Sequence, residues 1–133
     1  YGFDSFEGLP EDWHLESKEV YSTGGKIPKV PPHVTLISGW FEETLPLFLA
    51  KHEEDVALIN IDCDIYSSTK TVLDLLSARI KKGTIIIFDE YIGNLHWEED
   101  EHKAFMESIS KYQWKYEYLF YSAYTKQVVV RII

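Results

Sequence analysis

Four carboxylates stand in two pairs, and each pair closely follows a run of apolar residues. They are Asp62, Asp64, Asp89 and Glu90. Because the carboxyl ends of neighbouring parallel strands meet about 4.8 Å apart at one edge of a sheet, we expect these carboxylates to converge. Oxygen ligands without a cysteine or histidine pair favour Mg²⁺, with Mn²⁺ or Ca²⁺ as alternatives. The pattern therefore predicts a divalent-cation site at the sheet edge where open α/β folds bind ligands.

The first pair leaves two arrangements open. If the strand continues beyond Asp62, Asp64 faces the same side of the sheet. If the chain turns at Cys63, one acid can bind a metal while the other takes a proton. For any single acid, capping a helix or lying solvated at a strand end is the more common role. Two pairs after two successive apolar runs favour a functional role instead.

The elements that would position these acids alternate between strand and helix. In order, we predict strand 33–37, helix 41–53, strand 56–61, helix 69–80, strand 84–88, helix 98–112, and a hairpin of strands 116–121 and 127–132. Gly83 is expected to end the second helix. This alternation predicts an α/β fold whose sheet is mostly parallel, flanked by helices, with an antiparallel hairpin at one edge.

The part of the chain before these elements has little periodicity. Residues 1–4 have the pattern of a strand end, and Asp4 there either bonds a ribose hydroxyl or forms a turn. Residues 5–32 are rich in glycine and proline, which predicts a long surface segment with one helical turn near 10–15. Within that segment, 21–26 is either a lid over a pocket or a mobile loop.

Three more residues each have two interpretations. Trp40, which follows Ser38 and Gly39, either stacks on an adenine or packs in the core. His96 and His102, beside an acidic run, are either ligands and bases or ordinary surface histidines. Residue type and spacing do not choose between these roles.

Composition narrows the classes of partner. The 133 residues are enough for one domain, which we place at 1–133. The net charge of −9 argues against nucleic acid and against an anionic membrane surface, because both attract basic proteins. No apolar run reaches the roughly 20 residues that span a bilayer. Cys63 is the single cysteine, so no internal disulfide forms; we interpret it as a small packing residue and expect a cytoplasmic protein.

Four blocks of the sequence resemble the macrocin O-methyltransferase family. They read FDSFEGLP at 3–10, GWFEETLP at 39–46, IDCDIYSST at 61–69 and FDEY at 88–91. The blocks keep the family's order and cover nearly the whole chain, so together they are specific. The resemblance implies a metal-dependent class I S-adenosylmethionine (SAM) methyltransferase that acts on hydroxyls of sugars in natural products. It also implies the Rossmann-like sheet of that class.

The resemblance implies a cofactor site at the ends of the early strands. Matched by position, Asp4 would bind the ribose of SAM. Ser38, Gly39 and Trp40 would lie near its adenine.

The resemblance also assigns roles to the two acid pairs. Asp62, Asp89 and Glu90 would hold Mg²⁺, and Asp64 would be the general base for the acceptor hydroxyl. The family usually has a second aspartate where this chain has Glu90, whose longer side chain still offers oxygen ligands.

One part of the family's pattern has no counterpart in this sequence. The family begins with a strand and a Gly-rich turn that cradle the methionine part of SAM. The pair Gly24-Gly25 comes too late and has no strand before it. The resemblance therefore implies a class I sheet truncated at its N-terminus, with its first, central strand missing. We expect the 133-residue chain to bind SAM weakly or not at all.

Three functional hypotheses follow. The first is a SAM- and Mg²⁺-dependent O-methyltransferase, or the C-terminal part of one, acting on a sugar-like hydroxyl. The second is a truncated, non-catalytic relative that serves as a binding or oligomerisation module, and a homo-oligomer is left open. The third is a metal-dependent phosphatase or hydrolase, since carboxylates at strand ends also serve that chemistry. It ranks last because the chain lacks a phosphate-cradling loop and a clear nucleophile motif.

Overall fold

The computed structural model describes all residues from 1 to 133, and their contacts form two compact units. The first unit is Tyr1–His52 and the second is Glu53–Ile133. That the two form one domain stays a prediction. None of the helices combines the length and the apolar character needed to cross a membrane.

The first unit contains one short parallel strand pair and one helix. Strand β1 (Gly2–Asp4) pairs with β2 (Leu36–Ser38), and helix α1 (Phe41–Leu49) follows. The register places Asp4 opposite Ser38, so the carboxyl ends of both strands meet. The predicted strand and helix are therefore present, although both are shorter than expected.

The segment between β1 and β2 contains no helix, so the predicted helical turn near 10–15 is wrong. Trp13 and Glu16 form a short antiparallel bridge instead, closed by backbone hydrogen bonds of 3.0 and 2.8 Å. The buried side chains of Phe6, Leu9 and Trp13 show why the segment folds back on itself. Local apolar burial outweighs any helical preference of this stretch.

Close backbone contacts hold the same segment. The N–H groups of Thr23 and Gly25 donate to the carbonyl of Phe6 at 3.2 and 2.9 Å. Gly8 has a φ of +96°, and a Cβ added there would lie 2.2 Å from the carbonyl oxygen of Lys18. Only glycine fits this close approach.

The second unit is a four-stranded sheet with two helices. Its elements are β3 (Val56–Ile61), α2 (Tyr66–Leu76), β4 (Ile80–Phe88), α3 (Glu101–Tyr112), β5 (Tyr116–Tyr121) and β6 (Val128–Ile132). The strand order is β3-β4-β6-β5. Strands β3 and β4 are parallel, whereas β6 is antiparallel to both β4 and β5, which confirms the predicted hairpin. A 3₁₀ turn, Trp97–Glu99, precedes α3.

The core of the second unit lies between the sheet and its helices. Its fully buried apolar side chains come from β4, β6, α2 and α3, and they include Leu73, Ile86, Phe88, Phe105 and Val130. Burial of this size stabilises the sheet by roughly 1.5–3 kcal/mol for each large side chain. The acids that follow β3 and β4 therefore stand on a firmly packed frame.

Gly83 lies inside β4 and does not end the second helix, so that prediction is wrong. The strand begins earlier than expected, at Ile80, and its backbone bulges there against β3. The Thr84 hydroxyl holds the bulge, because it donates to the carbonyl of Val56 at 2.7 Å and accepts from the N–H of Lys81 at 3.0 Å. Glycine suits the bulge because its φ there is +100°.

Candidate active site

The parallel pairing of β3 and β4 brings the two predicted acid pairs to the same sheet edge. Ile61 and Phe88 are register partners. The N–H of Asp89 continues the pairing by donating to the carbonyl of Ile61 at 3.0 Å. Asp62 and Asp89 therefore follow directly on paired residues, as the order of the strands predicts.

The chain turns just after Asp62, so the structure shows the second of the two arrangements left open by the sequence. The N–H of Ile65 donates to the carbonyl of Cys63 at 2.6 Å. Asp64 has a φ of 58°, in the left-handed region that aspartate enters more readily than most residues. Asp62 is exposed and Asp64 is half-buried, so the two carboxylates have different surroundings.

Cys63 lies between these acids, and its surroundings do not activate its thiol as a nucleophile. Its Sγ is 3.4 Å from Oγ1 of Thr69. Burial raises the pKa of the thiol, the contact with Thr69 opposes the rise, and the carboxylates of Glu101, Asp64 and Asp62 add to it. The thiol is therefore protonated at neutral pH and is a poor nucleophile, in keeping with a packing role.

The second acid pair is engaged by the turn between β5 and β6. Nε2 of Gln127 donates to Oδ1 of Asp89. Nζ of Lys126 lies 3.2 Å from Oε2 of Glu90, and the same oxygen accepts from Nδ2 of Asn94. Lys126 also donates to Oδ1 of Asn94. Gln127 and Lys126 are more than thirty residues from the acids they contact, and no motif in the chain pointed to them.

Glu101 is the functional candidate that sequence reasoning missed. It is the first residue of α3, and the structure buries it completely. Oε2 accepts the backbone N–H of Glu90 at 3.1 Å, whereas Oε1 has no hydrogen-bond partner. The sequence did carry a signal, because helical spacing places Glu101 on the same face as the buried Ala104, Phe105 and Ser108.

The environment of Glu101 disfavours its charged form. Burial raises the pKa of its carboxyl group to about 9, and the hydrogen bond from the N–H of Glu90 opposes that rise. The nearby carboxylates of Asp64, Asp62 and Asp89 raise the pKa further. Glu101 is thus electrostatically coupled to three of the four predicted acids.

An aromatic cluster fixes the chain just after the second acid pair. Tyr91 is buried, and its ring centroid lies 5.0 Å from that of Phe88 and 5.2 Å from that of His102. The hydroxyl groups of Tyr91 and Tyr118 are 3.1 Å apart. His102 also contacts the ring of Trp97 at 4.9 Å, so its observed role is packing.

The donor chemistry of this edge fits a hard divalent cation, although its side chains are not arranged as a ligand set. The candidates are all carboxylates, and Glu101 keeps one buried oxygen without a partner. Nowhere in the 133 residues do three His, Cys, Asp or Glu side chains stand where they could hold a metal ion. The roles of Asp62, Asp89 and Glu90 as ligands stay predictions.

The predicted cofactor residues lie together at the carboxyl ends of β1 and β2. Oδ1 of Asp4 accepts the N–H of Phe6 at 2.7 Å, which is the turn-forming role, and its carbonyl accepts the N–H of Gly39 at 3.0 Å. Ser38 is exposed and Trp40 is half-buried. Trp40 precedes α1 and is not a core residue, so its face is partly open to solvent.

The sequence pattern of one family matches most of the chain. Residues 1–110 match the family described as Macrocin-O-methyltransferase (TylF). A Streptomyces olivaceus protein named 8-demethyl-8-(2,3-dimethoxy-alpha-L-rhamnosyl)-tetracenomycin-C 4'-O-methyltransferase is 30% identical over 107 residues, which cover 66% of this chain and 40% of the relative. The chain thus spans well under half the length of that relative.

Solved structures show the same fold. The crystal structure of CalS11, a calicheamicin methyltransferase, matches 98% of this chain and 58% of its own length, with a TM-score of 0.72 and 23% identity. The O-methyltransferase NovP matches 97% of this chain and 57% of its own length, with a TM-score of 0.68 and 23% identity. An apo structure of CalS11, titled TDP-rhamnose 3'-o-methyltransferase, matches 74% of this chain and 44% of its own length, with 29% identity and a TM-score of 0.58. These likenesses confirm the predicted methyltransferase-type α/β fold, of which this chain covers a part.

Proposed function

The chain belongs to the macrocin-O-methyltransferase family, and we propose that it acts in SAM-dependent methylation of a sugar hydroxyl on a natural product. The observation that carries the proposal is the meeting of two acid pairs at the ends of β3 and β4. Two of the similar proteins are named for rhamnose-type substrates, the tetracenomycin enzyme and the TDP-rhamnose enzyme, which favours a rhamnose-like acceptor. Because the chain spans only part of those proteins, the activity is proposed for the protein to which this sequence belongs.

In this proposal Asp64 is the general base. It would take the proton of the acceptor hydroxyl as the oxygen bonds to the methyl carbon and the sulfur–carbon bond of SAM breaks. The products are the methyl ether and S-adenosylhomocysteine (SAH). The turn at Cys63 supports this role, because it gives Asp64 surroundings different from those of Asp62. General-base catalysis typically contributes about 10²- to 10⁴-fold.

The remaining acids would serve the acceptor oxygen. Asp62, Asp89 and Glu90 would hold Mg²⁺, which supplies Lewis-acid polarisation of the hydroxyl and lowers its pKa when bound. The ion pair between Lys126 and Glu90 supports this assignment, because the carboxylate of Glu90 already has a positively charged neighbour.

The ends of β1 and β2 would serve the nucleoside part of SAM. The carboxylate of Asp4 would accept a ribose hydroxyl, and Ser38, Gly39 and Trp40 would lie beside the adenine. The pairing of Asp4 with Ser38 supports a shared role, because it places both residues at one strand end.

The first experiment is a calorimetric titration of the whole protein to which this sequence belongs with SAH, in Mg²⁺ and again in EDTA. It is followed by an assay of methyl transfer from labelled SAM to TDP-rhamnose. Asp62→Asn is compared with Asp55→Asn, which removes an exposed acid just before β3 begins. We expect loss of Mg²⁺-dependent SAH binding and of methylation in the first variant alone.

Two results would contradict the proposal. We call the sheet edge that carries Asp62, Asp64, Asp89 and Glu90 the acid edge. If Asp62→Asn and Asp55→Asn behave alike, the acid edge is not part of the site. Absence of SAH binding and of methylation in every sample, with the whole protein folded, would favour the binding or oligomerisation module.

A further inference from the structure

The residues that carry the second acid pair are held at three successive positions. The N–H of Asp89 donates to the carbonyl of Ile61, and the N–H of Glu90 donates to the carboxyl oxygen Oε2 of Glu101. The next side chain, Tyr91, is buried against the aromatic cluster. Of these three restraints, only the one from Glu101 comes from a polar side chain buried in a helix.

Placing a carboxyl group at this position is costly. A buried polar atom without a hydrogen-bond partner destabilises the folded state, and Oε1 of Glu101 is such an atom. The other buried residues on this face of α3 are small or apolar, namely Ala104, Phe105 and Ser108. An apolar residue at 101 would pack there without that cost but could not accept the N–H of Glu90.

We infer that Glu101 is a positioning residue for the acid edge. Its carboxyl group holds the backbone of Glu90, and this fixes how Asp89 and Glu90 present their side chains to a divalent cation. Glu101 is not itself assigned as a ligand. The part of the inference that concerns the cation rests on the proposed function, whereas the anchoring of Glu90 does not.

The experiment compares two substitutions at one position with a matched control. Glu101→Gln keeps an oxygen that can accept the N–H of Glu90, and Glu101→Ala removes it. Ser108→Ala removes a buried hydrogen bond to the carbonyl of Ala104 on the same helix face without touching Glu90. The readouts are the hydrogen-exchange rate of the Glu90 amide by NMR, which suits a 15.6 kDa chain, and the binding of Mn²⁺ followed by its EPR signal.

We expect Glu101→Ala to speed exchange of the Glu90 amide by about tenfold or more and to weaken Mn²⁺ binding by about 10- to 100-fold. Glu101→Gln should restore both values to within a few-fold of the wild type. Ser108→Ala should lower stability and leave both readouts unchanged.

The two readouts separate failure of this inference from failure of the proposed function. If Glu101→Ala leaves exchange of the Glu90 amide unchanged, or if Ser108→Ala weakens Mn²⁺ binding as much, the positioning role is wrong. The wild-type chain could bind no Mn²⁺ while the Glu90 amide exchanges slowly only when residue 101 offers a hydrogen-bond acceptor. The anchoring of Glu90 by Glu101 would then be correct. In that case the cation part of both proposals falls.

Discussion

Two parallel strand pairs carry the predicted site residues, and they hold them in different ways. The pair β1 and β2 has three residues in each strand, and Asp4 at its end is fixed by a hydrogen bond to Phe6, two residues away. The pair β3 and β4 is longer, and the acids that follow β4 are held by side chains from α3 and from the turn before β6. One edge is built locally and the other from distant parts of the chain.

This difference explains what a single sequence can reveal. A local turn is readable because its partners are neighbours, and Asp4 has the turn-forming role that was one of its two interpretations. The contacts of Asp89 with Gln127 and of Glu90 with Lys126 join residues more than thirty positions apart. No periodicity encodes which hairpin residue will reach which acid.

The largest expected effect tests the acid edge at the ends of β3 and β4. Asp64→Asn keeps a residue that tolerates the left-handed backbone but removes the base, so we expect methyl transfer to fall by about 10²- to 10⁴-fold. SAH affinity, measured by calorimetry, should stay within a few-fold. Asp55→Asn is the control, because it removes an exposed acid at the opposite end of β3. A loss of only a few-fold in Asp64→Asn would exclude the base role.

The next test compares the stability of the two units that carry the strand pairs. Phe105→Ala in α3 and Leu45→Ala in α1 each leave a cavity in the core, because the two side chains are only 0% and 3% exposed, respectively. We expect losses of about 3–5 and 2–5 kcal/mol in the free energy of unfolding, respectively. If the two units are one domain, urea denaturation followed by fluorescence and by circular dichroism will show one shared transition in both variants. Separate transitions would contradict the single-domain prediction.

A smaller effect concerns the link between the last turns of α2 and α3. Burial opposes ionisation of Asp74, but hydrogen bonds from Lys70, Tyr112 and Lys111 outweigh it and hold the pKa of Asp74 below its usual value. Asp74→Asn should cost about 1 kcal/mol at pH 7.

The pH dependence of this link has a definite sign. Because the pKa of Asp74 is lowered in the folded state, its stabilising effect is present above the unfolded-state value of 3.8. It is lost as the pH falls through the lowered value. The difference in unfolding free energy between wild type and Asp74→Asn should therefore shrink between pH 5 and roughly pH 2. A difference that stays constant over that range would show that the contribution is not ionic. Glu117→Gln, which breaks an exposed pair with Arg131, is the control.

The smallest expected effect tests the role of the turn between β5 and β6. Lys126 pairs with Glu90 at a partly exposed position, so the pair is worth about 0–1 kcal/mol. Lys126→Met removes a competitor for the carboxylate, and we expect Mn²⁺ affinity to rise by up to about fivefold. Lys115→Met, at an exposed lysine just before β5, should change nothing. Weaker binding in Lys126→Met would mean that the lysine supports the site and does not compete for it.

The sequence predicted regular elements better than the places where they meet. Strand 56–61 and the hairpin are observed as expected, because apolar runs and alternation are local signals. Helix 69–80 instead runs over Tyr66–Leu76, because the residues after it pair with β3 and extend β4 back to Ile80. Glu101 follows three other acidic residues, which hides its burial in the sequence, although its helical spacing from Phe105 indicates a buried position.

The reach of the β5–β6 turn back to the acids has a consequence for how the protein is made. Asp89 and Gln127 are 38 residues apart, so at about 5–20 residues per second the ribosome releases the acid some seconds before its partner. During that interval all eight predicted site residues exist, yet the second pair lacks its amide and ammonium neighbours. A chain stopped just before Lys126 would hold every predicted residue of the site and still leave its acid edge unfinished.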